Sequence, residues 1–507
     1  MRRRLWVAGG LAVALAGCNR GNDANSVLQA AQVVMGNPNS IQYSGTGMHA
    51  RFPVSFAAGG EWTRRELSSY TRAINYEQRS SREEWTFYGG QPENQQVNSD
   101  KAWTVRPKAP EGFDSDPSSY TPYPYGPDGI GTPGAPQLAA AEVFQLQISL
   151  TPHGFLKAAM AAGNATLAEM ESANVISFTA LAKYLVRGTI DANNLVTKVE
   201  TAIANSGASA PGGVLGDMEL TASYSEYRDF EGIQFPARIQ VTQGGFPLWE
   251  LDITNVTPNV PFDLPVPEVV QAATVPPSFY GEQPIVTTLA DGVWHVTGGT
   301  AHSTIVEFTD YLAVVEAPLN DRRSIAVMAE AKKLAPNKPV RYVLTTHHHN
   351  DHSGGVRAYV AQGATLVTHQ YNVRYFERVL TLQSTIAPDM LDKNPRTPVV
   401  QGVLDKYVIT DGKQILEVYA TNGDGHVNEG LLVYLPGPRI LVEDAYSSDA
   451  LNKPPPATPL AVEVALYDEI ERLKLNVATI APVHGRGHDP RGSAVPIAEL
   501  RRWMGRR

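Results

Sequence analysis

Cysteine is nearly absent: Cys18 is the only one in 507 residues. Once the leader reading below is followed, no thiol is left to form a disulfide, and stability must come from core burial and metal. Long apolar runs are lacking too. The stretch from Leu5 to Ala16 is the most apolar, and it falls short of the roughly 20 residues that span a bilayer. A basic excess is also missing, since the formal net charge is -9 and the pI about 5.8. That balance excludes a general nucleic-acid binder, and no basic stripe is present. No repeat of fixed period runs through the chain. What is there is ordinary globular material, 43% hydrophobic and 18% charged, long enough for two domains with separate cores.

The N-terminus has the layout of an export signal. Met1-Arg2-Arg3-Arg4 is a positive start, the apolar stretch follows, and Leu15-Ala16-Gly17-Cys18 resembles a bacterial lipobox. The resemblance implies cleavage before Cys18, a lipid on its sulfur, and a protein exported from the cytoplasm and anchored in the cell envelope. In a host with two membranes, Asn19 favours the outer one, or its periplasmic face. Residues 19–26 read as a flexible tether.

From Val27 to Met35 the apolar spacing suggests a helix capped by Ser26. Residues 41–90 then alternate as antiparallel strands do, for example at Glu61-Trp62-Thr63-Arg64. A Pro-, Gly- and Tyr-rich loop over 106–137 centres on residues 120–125. Thr151-Pro152 starts a helix to about Ala162, with Thr as cap and Pro at the first position. Strands and hairpins return from Asn174 to Asn255. Residues 27–256 therefore read as a mainly antiparallel β domain, half-barrel-like, similar in strand pattern to bacterial lipoprotein carriers. Seven prolines between Thr257 and Pro284 mark a linker over 257–284. Beyond it, 285–507 mixes strands and helices as layered α/β sheets do. One of its helices spans 321–334, with Ile325, Met328, Ala331 and Leu334 on one face.

In this second domain, His347, His348, His349, Asp351 and His352 place five metal-capable side chains in six positions. If the strand over 341–345 stays extended, His347, His349 and Asp351 point one way and His348 and Asn350 the other. Ser353-Gly354-Gly355 then supplies a turn and a helix start. Downstream, His426, Asp444 and His484 each follow a strand-like run.

On the H-x-H-x-D-H pattern with these three partners, residues 285–507 resemble the metallo-β-lactamase-fold hydrolases, an αββα sandwich. The resemblance implies that His347, His349 and His426 hold one metal ion and Asp351, His352 and His484 a second, with Asp444 bridging. It assigns Asp351 and Asp444 to catalysis. Glu316 stands where many members carry Asp in a supporting role. The bridging aspartate is lacking in true β-lactamases of the fold, so an ester, thioester, lactone or phosphoester is the expected substrate class.

Neutral imidazoles with few carboxylates suit zinc, and two zinc ions sharing a water lower its pKa to roughly 7. The expected partner is thus a small-molecule substrate. Two other readings stay open. One is a mononuclear iron dioxygenase of the same fold acting on sulfur compounds, using His347, His426 and Asp444 or a similar triad. The other is an envelope ligand-binding lipoprotein whose metal domain is not catalytic. Tyr446, Asn428 and His302 are further pocket candidates, while His295, His348, His369 and His488 read as structural.

Overall fold

The computed structural model describes residues 23–90, 92–105, 135–136, 140–170, 172–204, 214–273, 284–299, 301–451, 453–485 and 494–506. Cys18, the centre of the Tyr-rich loop and His488 lie outside them. No helix among the described residues is long and apolar enough to cross a membrane.

The N-terminal half is one antiparallel sheet of 13 strands. Its first six strands run outward in reverse order, from residues 135–136 at one edge to Ser40–Ala50 in the middle. There Ser40–Ala50 pairs with Phe246–Pro258, the last strand, and the order returns to Thr166–Met170 at the other edge. A flat sheet of that many strands at about 4.8 Å spacing would be some 60 Å wide. Yet strands from both flanks share one core with three helices, Ala24–Met35, Ala141–Ser149 and Pro152–Ala162. The sheet therefore wraps the helices. Register breaks at Ser44/Gly45 and Gly45/Gly47 help it bend. A Cβ on Gly47 would lie 1.9 Å from the Glu250 carbonyl oxygen, so no larger residue fits there.

Three expectations change in this half. The first helix starts at Ala24 and is capped by Asp23, whose Oδ1 accepts from Ser26 N at 2.7 Å. Ser26 is thus inside the helix, because aspartate three residues upstream is the better-placed acceptor. Glu61-Trp62-Thr63 is not strand, since the second strand begins at Arg64 and residues 51–63 leave the sheet. The stretch over 257–284, expected as a linker, is packed along its described part. The strand runs to Pro258, and Leu264 and Val270 bury against Trp103.

The C-terminal half is an αββα sandwich. A seven-stranded sheet follows chain order from Ile285–Ala290 to Val400–Val403 and turns parallel after Leu312–Val315. A six-stranded sheet from Lys406–Thr410 to Val495–Pro496 faces it. Between them lie side chains such as Val306, Val315, Leu344, Val433 and Val442. Each is worth roughly 1.5–3 kcal/mol when buried, enough to hold the strand ends that carry the site. Helices Asp321–Leu334 and Val356–Ala361 cover the first sheet, and Ala461–Arg472 and Ile497–Trp503 cover the second.

The helix over 321–334 meets the core with Met328, Ala331 and Leu334, as its apolar spacing suggests, but is turned so that Ile325 lies outside. Arg323, Ser324, Val327 and Ala331 are buried, and Ile325 is exposed. The reason is polar: Arg323 donates from Nη2 to the carbonyls of Val296 and Thr297, both at 3.0 Å.

Among the described residues, the two halves are clasped at two places. Asp217 Oδ2 accepts from Thr385 N and Ile386 N, and Asp217 N donates to Gln383 O. The second clasp is the excursion 51–63, which lies on the His-rich loop.

Burial pushes His153 down to about 4, so the folded protein keeps it neutral while the unfolded chain protonates it near 6.5. The unfolded state binds more protons between those values, so stability is full above about 6.5 and lost as pH falls toward 4. His153→Gln keeps a donor for Met35 O, 3.1 Å away, and should flatten this slope by up to roughly 3 kcal/mol. Urea unfolding across that pH range tests it; an unchanged slope would exclude His153 as its source.

Candidate metal centre

The strand Val340–Leu344 ends at the buried Thr345, and the backbone then leaves extended form. His347, His348 and His349 lie in a loop, and Asn350–Ser353 is a single helical turn. Side-chain alternation therefore does not place the ligands. The loop does: His349 O accepts from His352 N and Ser353 N, and Ser353 Oγ donates to the carbonyls of His348 and His349. Gly354 and Gly355 serve close approach rather than an unusual backbone angle. A Cβ on Gly355 would lie 2.1 Å from Ser324 Oγ, and one on Gly354 2.1 Å from Leu319 O.

His426 arrives from a tight turn after the strand Ile415–Asn422. Asp424 Oδ1 accepts from His426 N and Val427 N, and Gly425 takes a φ of 88°, which favours glycine. Asp444 follows the strand Ile440–Glu443, and His484 follows Thr479–Pro482. His484 is bridged to Ala301, and its carbonyl accepts from Ser448 N at 3.1 Å.

The structure brings these side chains into two abutting groups. In the first, His347, His349 and His426 each offer one ring nitrogen to a set within 4.8 Å of one another. His349 Nδ1 and His426 Nε2 are 3.1 Å apart, and His347 Nε2 is buried without a hydrogen-bond partner among the described residues. In the second, His352 Nε2 lies 3.2 Å from Asp351 Oδ2 and 3.1 Å from His484 Nε2. His484 Nε2 is 3.5 Å from the same Asp351 oxygen. His347, Asp351 and His352 also form a set within 4.8 Å, so His347 belongs to both groups. Asp444 Oδ2 meets His347 Nδ1 at 3.0 Å.

These distances fit a bound cation. Ligands about 2.0–2.1 Å from one tetrahedral ion lie about 3.3 Å from each other. Two imidazole nitrogens facing at 3.1 Å cannot both carry protons, and a shared cation satisfies both lone pairs. The donor set of nitrogen and carboxylate oxygen is that of zinc or iron sites.

Electrostatics point the same way. Burial pushes His347 well below the ordinary imidazole range and His349 down to about 4, leaving their lone pairs free at neutral pH. Burial alone would raise Asp351, but His352 beside it holds the carboxyl well below the usual carboxylate range. Burial likewise opposes charge on His352, yet Asp351 and Glu316 outweigh it and raise its pKa. Carboxylates that hold a proton there can equally hold the charge of a metal ion.

Glu316 reaches further than its length suggested. Its Oε2 accepts from His352 Nδ1 at 2.8 Å and its Oε1 from Thr346 N at 2.6 Å, with both partners fully buried. It fixes the ring so that Nε2 faces Asp351 and His484.

Other candidates lie elsewhere. Tyr446 is fully buried and packs edge-on to Trp503, so it is a core residue and no substrate donor. His302 is buried, with Nδ1 on Pro482 O at 3.0 Å. His369 Nδ1 accepts from Tyr371 N. Asn428 is exposed, and its N–H donates to Phe56 O at 2.8 Å. His348 is more than a local structural residue: its Nε2 contacts Ser55 O at 3.1 Å and Ser55 Oγ at 3.2 Å. Ser55 O also lies 2.8 Å from His349 Nε2. Nothing in its Pro53-Val54-Ser55-Phe56 surroundings marks Ser55 as part of a site.

Residues 296–442 match the family model described as the metallo-beta-lactamase superfamily. Among solved structures, the chain is similar to a metallo-beta-lactamase from Pontibacter korlensis, with 22% identity, a TM-score of 0.33, and coverage of 44% of this chain and 98% of that one. It is also similar to FIM-1 from Pseudomonas aeruginosa in its mono-zinc form, with 19% identity, a TM-score of 0.32 and 44% and 93% coverage. A Hirschia baltica metallo-beta-lactamase gives 20% identity, a TM-score of 0.31 and 43% and 95% coverage. No curated protein matches the chain.

Removing the Glu316 carboxylate frees the His352 ring. Glu316→Ala should weaken metal uptake at the Asp351–His352–His484 group by about 10–100-fold, read by chelator competition. Unchanged affinity would rule out its orienting role.

Proposed function

From the premise that residues 296–442 are a metallo-beta-lactamase superfamily domain, we propose that the protein is a binuclear zinc hydrolase acting on an ester, thioester, lactone or phosphoester. The observation that carries this reading is the pair of ligand groups that share His347. His347, His349 and His426 would hold one ion, Asp351, His352 and His484 the other, and Asp444 would lie between them. Bound zinc supplies Lewis acidity, which lowers the pKa of a coordinated water to about 7 and polarises a substrate oxygen.

The chain's own residues do the rest. The buried His347 and His349 stay neutral and present lone pairs at neutral pH, whereas His352, raised by Asp351 and Glu316, must give up a proton to hold a cation. Asp351 stays ionised and faces His352 and His484, where its carboxylate accepts a hydrogen bond from the attacking water and holds that oxygen in place. Asp444, beside His347, adds the negative charge that a second dication requires. No serine or cysteine nucleophile is required. An aspartate at this position also argues against β-lactam hydrolysis as the main activity.

The substrate is a small molecule rather than nucleic acid, in keeping with the acidic balance of the chain. We place the reaction in the cell envelope, with the protein held by a lipid on Cys18. That placement rests on the Leu15-Ala16-Gly17-Cys18 sequence alone.

Three measurements test the reading. Elemental analysis should find about two zinc ions per chain; one iron with oxygen uptake would replace the hydrolase by a dioxygenase. Asp444→Ala should abolish turnover across a panel of esters, thioesters, lactones and phosphodiesters while circular dichroism stays unchanged, and retained turnover would sink the binuclear mechanism. Labelled-lipid incorporation should vanish in Cys18→Ala, and its persistence would refute the anchor.

A further inference from the structure

Residues 51–63 join the strands Ser40–Ala50 and Arg64–Asn75 by a longer route than the sheet requires. Arg51 N already donates to Thr63 O at 2.8 Å, a pairing that a two-residue hairpin could close. Instead the chain makes an excursion with its own anchors. Thr63 N donates to Val54 O at 2.9 Å, and Trp62 packs between Phe52 and Phe246 at centroid distances of 4.7 and 5.3 Å. Its tip rests on the other domain. Ser55 is buried there, Asn428 N donates to Phe56 O, and a Cβ on Gly59 would lie 3.1 Å from the Tyr375 ring.

The contact that matters is the Ser55 carbonyl, 2.8 Å from His349 Nε2. A carbonyl oxygen has lone pairs and no proton, so the nitrogen facing it must carry one. His349 is then the tautomer with hydrogen on Nε2, and Nδ1 is left with a free lone pair. Nδ1 is the atom 3.1 Å from His426 Nε2, inside the first ligand group. The two groups thus differ in what orients them: Glu316 of the C-terminal domain for His352, a backbone carbonyl of the N-terminal domain for His349.

We infer that the N-terminal domain completes the metal centre: Ser55 is a positioning residue whose carbonyl fixes the His349 tautomer and aims Nδ1 at the first cation. This rests on the reading of the site as a metal centre. Without the excursion, His349 can rotate or carry its proton on Nδ1, and the first group loses a ligand while the second keeps its own.

The test uses the full chain and a variant in which Asn-Gly replaces residues 52–62, titrated with Co2+ against a chelator while the visible d–d bands are followed. The first-group affinity should fall by about 10–100-fold, with the second group unchanged. Glu316→Ala, which acts on the other group, identifies which band belongs to which. Both ions held as tightly as in the full chain would overturn the inference, and so would equal weakening of both. A full chain that takes up no Co2+ overturns the metal-centre reading and this inference with it. Should the variant not fold, histidine-selective 15N NMR of the metal-free full chain decides: His349 with its proton on Nε2 supports the inference, and a proton on Nδ1 or averaging between the two overturns it.

Discussion

Metal-capable side chains held against one another are the constraint on which this structure depends. His349 meets His426, His352 meets His484, and Asp351 Oδ2 faces both rings of the second pair. Left alone, such an arrangement is costly for His347, His349 and His352, because burial removes the water that would otherwise serve their rings. A positive charge at each cluster turns the cost into a gain. Much of the surrounding architecture keeps these atoms facing inward: the single-turn helix at Asn350–Ser353, the glycine pair behind it, and the Asp424 turn that delivers His426.

The His- and Asp-rich cluster of the C-terminal half was largely legible in its amino-acid order, because metal-capable side chains are few residue types and here lie at short spacing. Four of the candidates lie within six positions, and the remaining three follow strand ends, where α/β folds hold site residues. The local route was not legible. Extended alternation does not carry His347 and His349 to the site; the loop and its capping bonds do. The exact turn of the 321–334 helix was likewise hidden, since it includes a buried arginine on two distant carbonyls. Hydrophobic spacing carries no information about such a contact.

The N-terminal half shows the opposite balance. Its strands were readable from alternation and its Thr151-Pro152 helix start from local chemistry. What the domain contributes to the site was not, because a backbone carbonyl acts through its position and not through its side chain. Ser55, 294 positions from His349 in the chain, reaches it only through the packing of the two halves. The Asp217 clasp on Thr385 and Ile386 was hidden for another reason: its carboxylate, at the start of a strand, meets partners 168 and 169 positions away.

The pairing of Ser40–Ala50 with Phe246–Pro258 has a temporal consequence. The middle of the N-terminal sheet joins segments some 220 residues apart, as the Asn39–Asn259 bond next to it shows. Closing so long a loop is entropically costly and slow, so this sheet matures late relative to local hairpins. The excursion that carries Ser55 grows from that same central strand and meets His349 across a separation of 294 residues. The Ser55 contact to His349 therefore waits on the meeting of the two halves, while the Glu316 contact to His352, 36 residues apart, can form within the second alone.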